Sequence, residues 1–198
     1  LILVSDHGHL GGETTVNRAC NLPRDWAYRQ LGCNVRVVGQ EWTHPGIDPA
    51  RFLFFDNQGA GQAKLFLPCG SFLHGPWERN TLYELTHYEL SAAHRRVNLL
   101  ESLASFRPPG WGGTGSRPVD LILVKLDERR TFVFRDADQQ AIIHRLDDGA
   151  GGEVYRYEPM RQLSQEADGT IRSEPAAPGQ DPLGYLHDQG FPVEARDP

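Results

Sequence analysis

The sequence predicts an α/β fold: a mostly parallel sheet with flanking helices, a β-hairpin excursion and an antiparallel β-rich C-terminal part. Three observations carry that expectation. The chain opens on an unbroken apolar run, Leu1-Ile2-Leu3-Val4, of the kind found in a strand buried on both faces. A helical stretch and another apolar strand follow before Gly39, which together read as a strand–helix–strand unit. From Val119 onward, short apolar runs alternate with polar turns, as neighbouring strands of a sheet do.

Each element has its own local reason. Leu1 to Val4 stops at once in the glycine-rich turn Ser5-Asp6-His7-Gly8-His9-Leu10-Gly11-Gly12, and Glu13 to Asn21 is polar and without a clear period. Pro23 suits a first helical turn, Trp26, Ala27, Gln30 and Leu31 follow, and Gly32 supplies a stop. Cys33 to Val38 reads as the second strand, and Gly39 to Pro49 as loop. Arg51 to Phe55 and Gln62 to Leu67 flank Asp56-Asn57-Gln58-Gly59-Ala60-Gly61 and form a hairpin. Pro68 to Pro76 is rich in turn formers. Between Leu82 and Phe106, apolar residues recur at threes and fours through Leu85, Tyr88, Ala92, Val97, Leu100, Leu103 and Ala104. That spacing predicts one continuous amphipathic helix, ended before Pro108-Pro109. Residues 107–118 are a Gly- and Pro-rich connector. Val119 to Leu126, Thr131 to Phe134, Ala141 to His144 and Glu153 to Tyr157 read as strands, while Leu163 to Glu174 is polar with no strong signal.

Composition narrows the function classes. At 198 residues, with 39% hydrophobic and 23% charged residues, the chain is long enough to bury a core and is expected to be one domain. A formal net charge of -6, with no basic cluster longer than Arg95-Arg96 or Arg129-Arg130, argues against general nucleic-acid binding. No apolar run approaches the roughly 18 residues of a membrane span. Cys20, Cys33 and Cys69 match neither a zinc knuckle nor a redox C-x-x-C pair, and read as buried thiols in a reducing, cytoplasmic compartment. The chain begins without Met on what reads as a core strand, so it is expected to be an incomplete part of a larger domain.

Chemistry is expected at the end of the first strand. In open α/β sheets, ligands bind in the crevice at the carboxyl ends of the strands, where Asp6, His7 and His9 would converge. A hard carboxylate oxygen beside an imidazole nitrogen suits zinc or another divalent transition metal. A buried strand running into Ser5-Asp6-His7-Gly8 resembles the metal-binding motif of the alkaline phosphatase superfamily, in its type I phosphodiesterase and nucleotide pyrophosphatase branch. The hairpin from Arg51 to Leu67, the stretch from Leu82 through Val119-Asp120-Leu121-Ile122-Leu123-Val124, and Asp181-Pro182-Leu183-Gly184-Tyr185 extend the resemblance loosely along the chain.

That resemblance implies a metal-dependent hydrolase of small-molecule phosphate mono- or diesters, with two zinc ions, or manganese, in the complete site. It makes Asp6 and His7 ligands of one ion. It also implies a nucleophilic Thr or Ser and a D-x-x-x-H pair ahead of the motif, so the nucleophile is expected upstream of Leu1 and no catalytic residue is assigned within the chain. His74, in Phe72-Leu73-His74-Gly75, and His44 are further candidate ligands, although no spacing ties either to Asp6 and His7. The alternative is a non-catalytic binding or scaffold domain that keeps the Asp-His pair without metals.

Other patterns are weaker. His7-Gly8-His9 matches the H-x-H of amidohydrolases, but the H-x-H-x-D-H order of metallo-β-lactamases is absent. Ser71 and Ser116 lack a G-x-S-x-G elbow, and the glycines of residues 110–115 precede a strand and no Lys, unlike a phosphate-binding loop. His87, His94, His144 and His187 read as solvated or packing side chains, and Asp127-Glu128 and Asp147-Asp148 as turn carboxylates.

Overall fold

The computed structural model describes residues 2–3, 22–37, 40–57, 63–66, 80–90, 95–107, 119, 121–177, 180 and 194–196. The chain divides into two compact units. The first comprises Leu1–Arg79, Leu90–Arg95 and Ser105–Val119; the second comprises Asn80–Glu89, Arg96–Ala104 and Asp120–Pro198.

In the first unit, β1 (Ile2–Leu3), β2 (Asn34–Val37), β3 (Gln40–Trp42), β4 (Phe52–Asn57) and β5 (Ala63–Phe66) form a sheet in the order β1-β5-β4-β2-β3. The expected hairpin is present: β4 and β5 pair antiparallel from Phe54↔Phe66 to Asn57↔Ala63. The helix also falls where Pro23 and Gly32 place it. The segment α1 (Leu22–Trp26) continues as a π-helical turn, Ala27–Leu31. Pro23 lies in the first turn, where backbone N–H groups have no helical partner to lose. Gly32 closes the turn at φ 58°, a left-handed conformation that glycine adopts without a Cβ clash, and its N–H donates to the Ala27 carbonyl. Arg51 Nη2 donates to the Leu31 carbonyl at 3.2 Å, satisfying another group at the helix end. Trp26, Ala27, Leu31, Cys33, Val35 and Leu53 are among the side chains buried here.

The mostly parallel α/β sheet expected from the sequence is not what forms. Among the described residues only β2 and β4 pair in parallel, from Asn34↔Phe52 to Val37↔Phe55, and the structure is mostly β. The strand–helix–strand reading placed β1 beside β2. Instead the β4–β5 hairpin stands between them, pairing with β1 at Ile2↔Lys64 and Leu3↔Ala63. Two antiparallel steps, β1 to β5 and β5 to β4, restore the direction, so β1, β4 and β2 all run the same way.

The second unit holds the antiparallel C-terminal part. Strands β8 (Ile122–Lys125), β9 (Arg130–Asp136), β10 (Gln139–Asp147), β11 (Glu153–Gln165) and β12 (Ile171–Pro175) pair in sequence order. A further strand, β13 (Glu194–Arg196), pairs with Val154–Arg156 of β11. Ile122 and Val124 are buried while Leu123 and Lys125, which alternate with them, are exposed, the two-residue period of a strand with one wetter face. Phe132, Val133 and Phe134 are all buried, which marks β9 as covered on both faces. Aspartates organise the turns. Asp127 Oδ1 accepts the N–H groups of Arg129 and Arg130, Asp148 Oδ1 those of Ala150 and Gly152, and Asp168 Oδ1 that of Thr170.

The single helix expected over Leu82 to Phe106 is also corrected. The stretch forms α2 (Leu82–Thr86), β6 (Tyr88–Leu90), β7 (Arg95–Val97) and α3 (Leu99–Ser105), with β6 and β7 paired in a two-stranded ribbon. Local side-chain chemistry outweighs the apolar period. Thr81 and Glu84 close a capping box that starts α2. Asn98 Oδ1 accepts the N–H groups of Leu100 and Glu101, which makes Asn98 the start of a new helix rather than the interior of an old one. The leucines expected on the stripe are nonetheless buried: Leu82 and Leu85 on α2, Leu100 and Leu103 on α3.

Candidate functional site

The residues ahead of the Asp-His pair define where a site would begin. Leu3 lies in one row with Ala63 and Asn57, so the chain leaves β1 at the end of the sheet where β4 finishes. Because β2 runs with β4, its carboxyl end at Val37 faces the same way. Asp6 and His7 lie outside the described residues, as do His9, His74, Cys20, Cys69, His94, His187 and the glycines of residues 110–115.

His44 is described, and its surroundings are specific. It sits in the turn after β3, with its backbone N–H donating to Asn34 Oδ1 at 2.9 Å. Asn34, the first residue of β2, is fully buried, and its Nδ2 donates to the Asp48 carbonyl at 3.0 Å. One amide side chain thus fixes both ends of the loop that carries His44. The His44 ring lies 5.3 Å from that of Tyr28, and its Nδ1 accepts the Gly46 N–H at 3.1 Å. Nδ1 is thereby occupied by a backbone donor, which a metal bound at that atom would displace.

Distance points the same way. Asn34 is in register with Phe52, at the opposite end of β4 from Asn57. At about 3.4 Å per residue the two rows are roughly 17 Å apart, against about 2 Å for a zinc–nitrogen bond. The loop that carries His44 is thus tied to the end of β2 opposite Val37. Among the described residues, no group of three or more His, Cys, Asp or Glu is placed to hold a metal ion.

Several other titratable groups among the described residues have structural partners. Cys33 is buried and its Sγ reaches the Leu31 carbonyl at 3.5 Å. Burial pushes its thiol pKa up, against the lowering effect of the neighbouring Arg51 guanidinium, so it is held as an unreactive thiol. Burial also tends to raise the pKa of Asp127, but the Arg129 N–H and the Arg130 side chain outweigh it and hold the carboxyl below its usual range. His87 stacks on Tyr83 with ring centroids 4.3 Å apart, a packing role at the end of α2. His144 is more engaged than its sequence context suggests, since its Nε2 lies 2.7 Å from Glu158 Oε2 on the adjacent strand. No motif links them; only the β10–β11 register, which sets His144 opposite Arg156 and Ile142 opposite Glu158, brings them together.

No helix among the described residues is long and apolar enough to cross a membrane. Compared with protein families, with curated proteins and with solved structures, the chain matches none.

Proposed function

We propose that this chain supplies part of the two-metal site of a hydrolase acting on phosphate mono- or diesters, with Asp6 and His7 as ligands of one zinc or manganese ion. The observation that supports this reading is the sequence Ser5-Asp6-His7-Gly8, one residue beyond β1, a strand whose direction is shared by β4 and β2. The carboxyl ends of β1, β4 and β2 lie at one end of the sheet, so segments that follow them there can bring donors together. The donor set fits a share of a metal site: a carboxylate oxygen and an imidazole nitrogen suit zinc, and Gly8 allows the backbone a sharp turn beside them. The chemistry such metal ions would supply is activation of a nucleophile and stabilisation of a leaving oxygen. Asp6 and His7 would hold and orient one of those ions. Catalytic zinc takes about three protein ligands, so two donors bind weakly until others complete the set.

Calorimetric titration with Zn²⁺ tests the assignment. The chain should take up zinc weakly, and Asp6→Ala or His7→Ala should weaken that uptake by about tenfold or more. His44→Ala should leave it unchanged. Equal uptake by the wild type and by both the Asp6 and His7 variants would overturn the assignment and favour a scaffold that keeps the pair without metals.

A further inference from the structure

We draw no further inference here: the strongest candidate, the Arg24, Tyr28, Trp42 and His44 side-chain cluster on the helix and β3 of the first unit, is accounted for by the contacts its members make with one another, and nothing in the structure shows what ligand would cover it.

Discussion

Replacing Gln140 should destabilise the second unit more than any surface change. Its side chain is 6% exposed and bonds only to backbone: Nε2 donates to the Ala137 carbonyl at 2.7 Å, and Oε1 accepts the Leu163 N–H at 2.9 Å. Both contacts fall where the ladder is irregular. The register shifts between Gln139 and Gln140 on one side and between Met160 and Gln162 on the other, so backbone groups there depend on a side chain for a partner. Gln140→Met keeps the volume and removes both bonds. Leaving the buried Leu163 N–H unpaired costs about 1–3 kcal/mol, and losing the half-buried bond to Ala137 costs about 1 kcal/mol more. A net loss of about 3 kcal/mol corresponds to a fall of about 6–12 °C in melting midpoint for a chain of this size.

Urea denaturation followed by circular dichroism measures the effect, with an unchanged slope expected if only stability moves. Gln140→Glu is the informative companion, because it retains an acceptor for Leu163 but turns a carboxylate oxygen towards the Ala137 carbonyl. Its penalty should shrink as acid protonates the new carboxyl group and restores a donor. A loss below about 0.5 kcal/mol for Gln140→Met would refute the reasoning, since it would mean that both backbone groups find other partners.

Further outcomes follow from other buried or charged groups. Asn34→Ala should cost about 1–3 kcal/mol and speed hydrogen exchange at the His44 amide, because the loop loses both of its side-chain bonds to β2. An unchanged His44 exchange rate would show that Asn34 does not hold the loop. Asp127 has a folded pKa below its unfolded value, so its contribution is present above the ordinary aspartate range near about 3.9 and is lost as pH falls through the folded value. Asp127→Asn should therefore lower stability modestly at neutral pH and flatten the acid limb of the stability profile; an identical acid limb would contradict this.

Several single elements were legible because their signals are local, although the fold class was not. Pro23 and Gly32 bracket the helix by their own backbone preferences, and the glycine-rich stretch between Phe55 and Gln62 marks the hairpin. The Val119 to Leu126 run, Phe132-Val133-Phe134 and Ala141-Ile142-Ile143 each announced a strand through apolar content. What failed was non-local or ambiguous. Nothing in Leu1 to Val4 states that its partner is β5 rather than β2, so the sheet order could not be read. The residues from Tyr88 to Val97 suit a helical stripe as well as a ribbon, and Asn98, the decisive cap, is a single residue inside the pattern. Strand β12 is mostly exposed and polar, as an edge strand can be, and so carries no alternation to detect. In the candidate site, the Asp-His pair is a sequence signal, whereas the placement of the His44 loop along the sheet needed the strand register.

Turnover of an aryl phosphate mono- and diester, with added Zn²⁺ or Mn²⁺, tests the central claim most directly when this chain and its complete open reading frame are assayed in parallel. The account predicts negligible turnover by these 198 residues alone, because Asp6 and His7 are fewer donors than a catalytic ion needs. It predicts activity where the remaining ligands and nucleophile are present, abolished by Asp6→Ala or His7→Ala. Robust turnover by this chain alone would contradict the claim that its site is partial, and activity of the complete protein that survives loss of both Asp6 and His7 would remove the metal-site assignment itself.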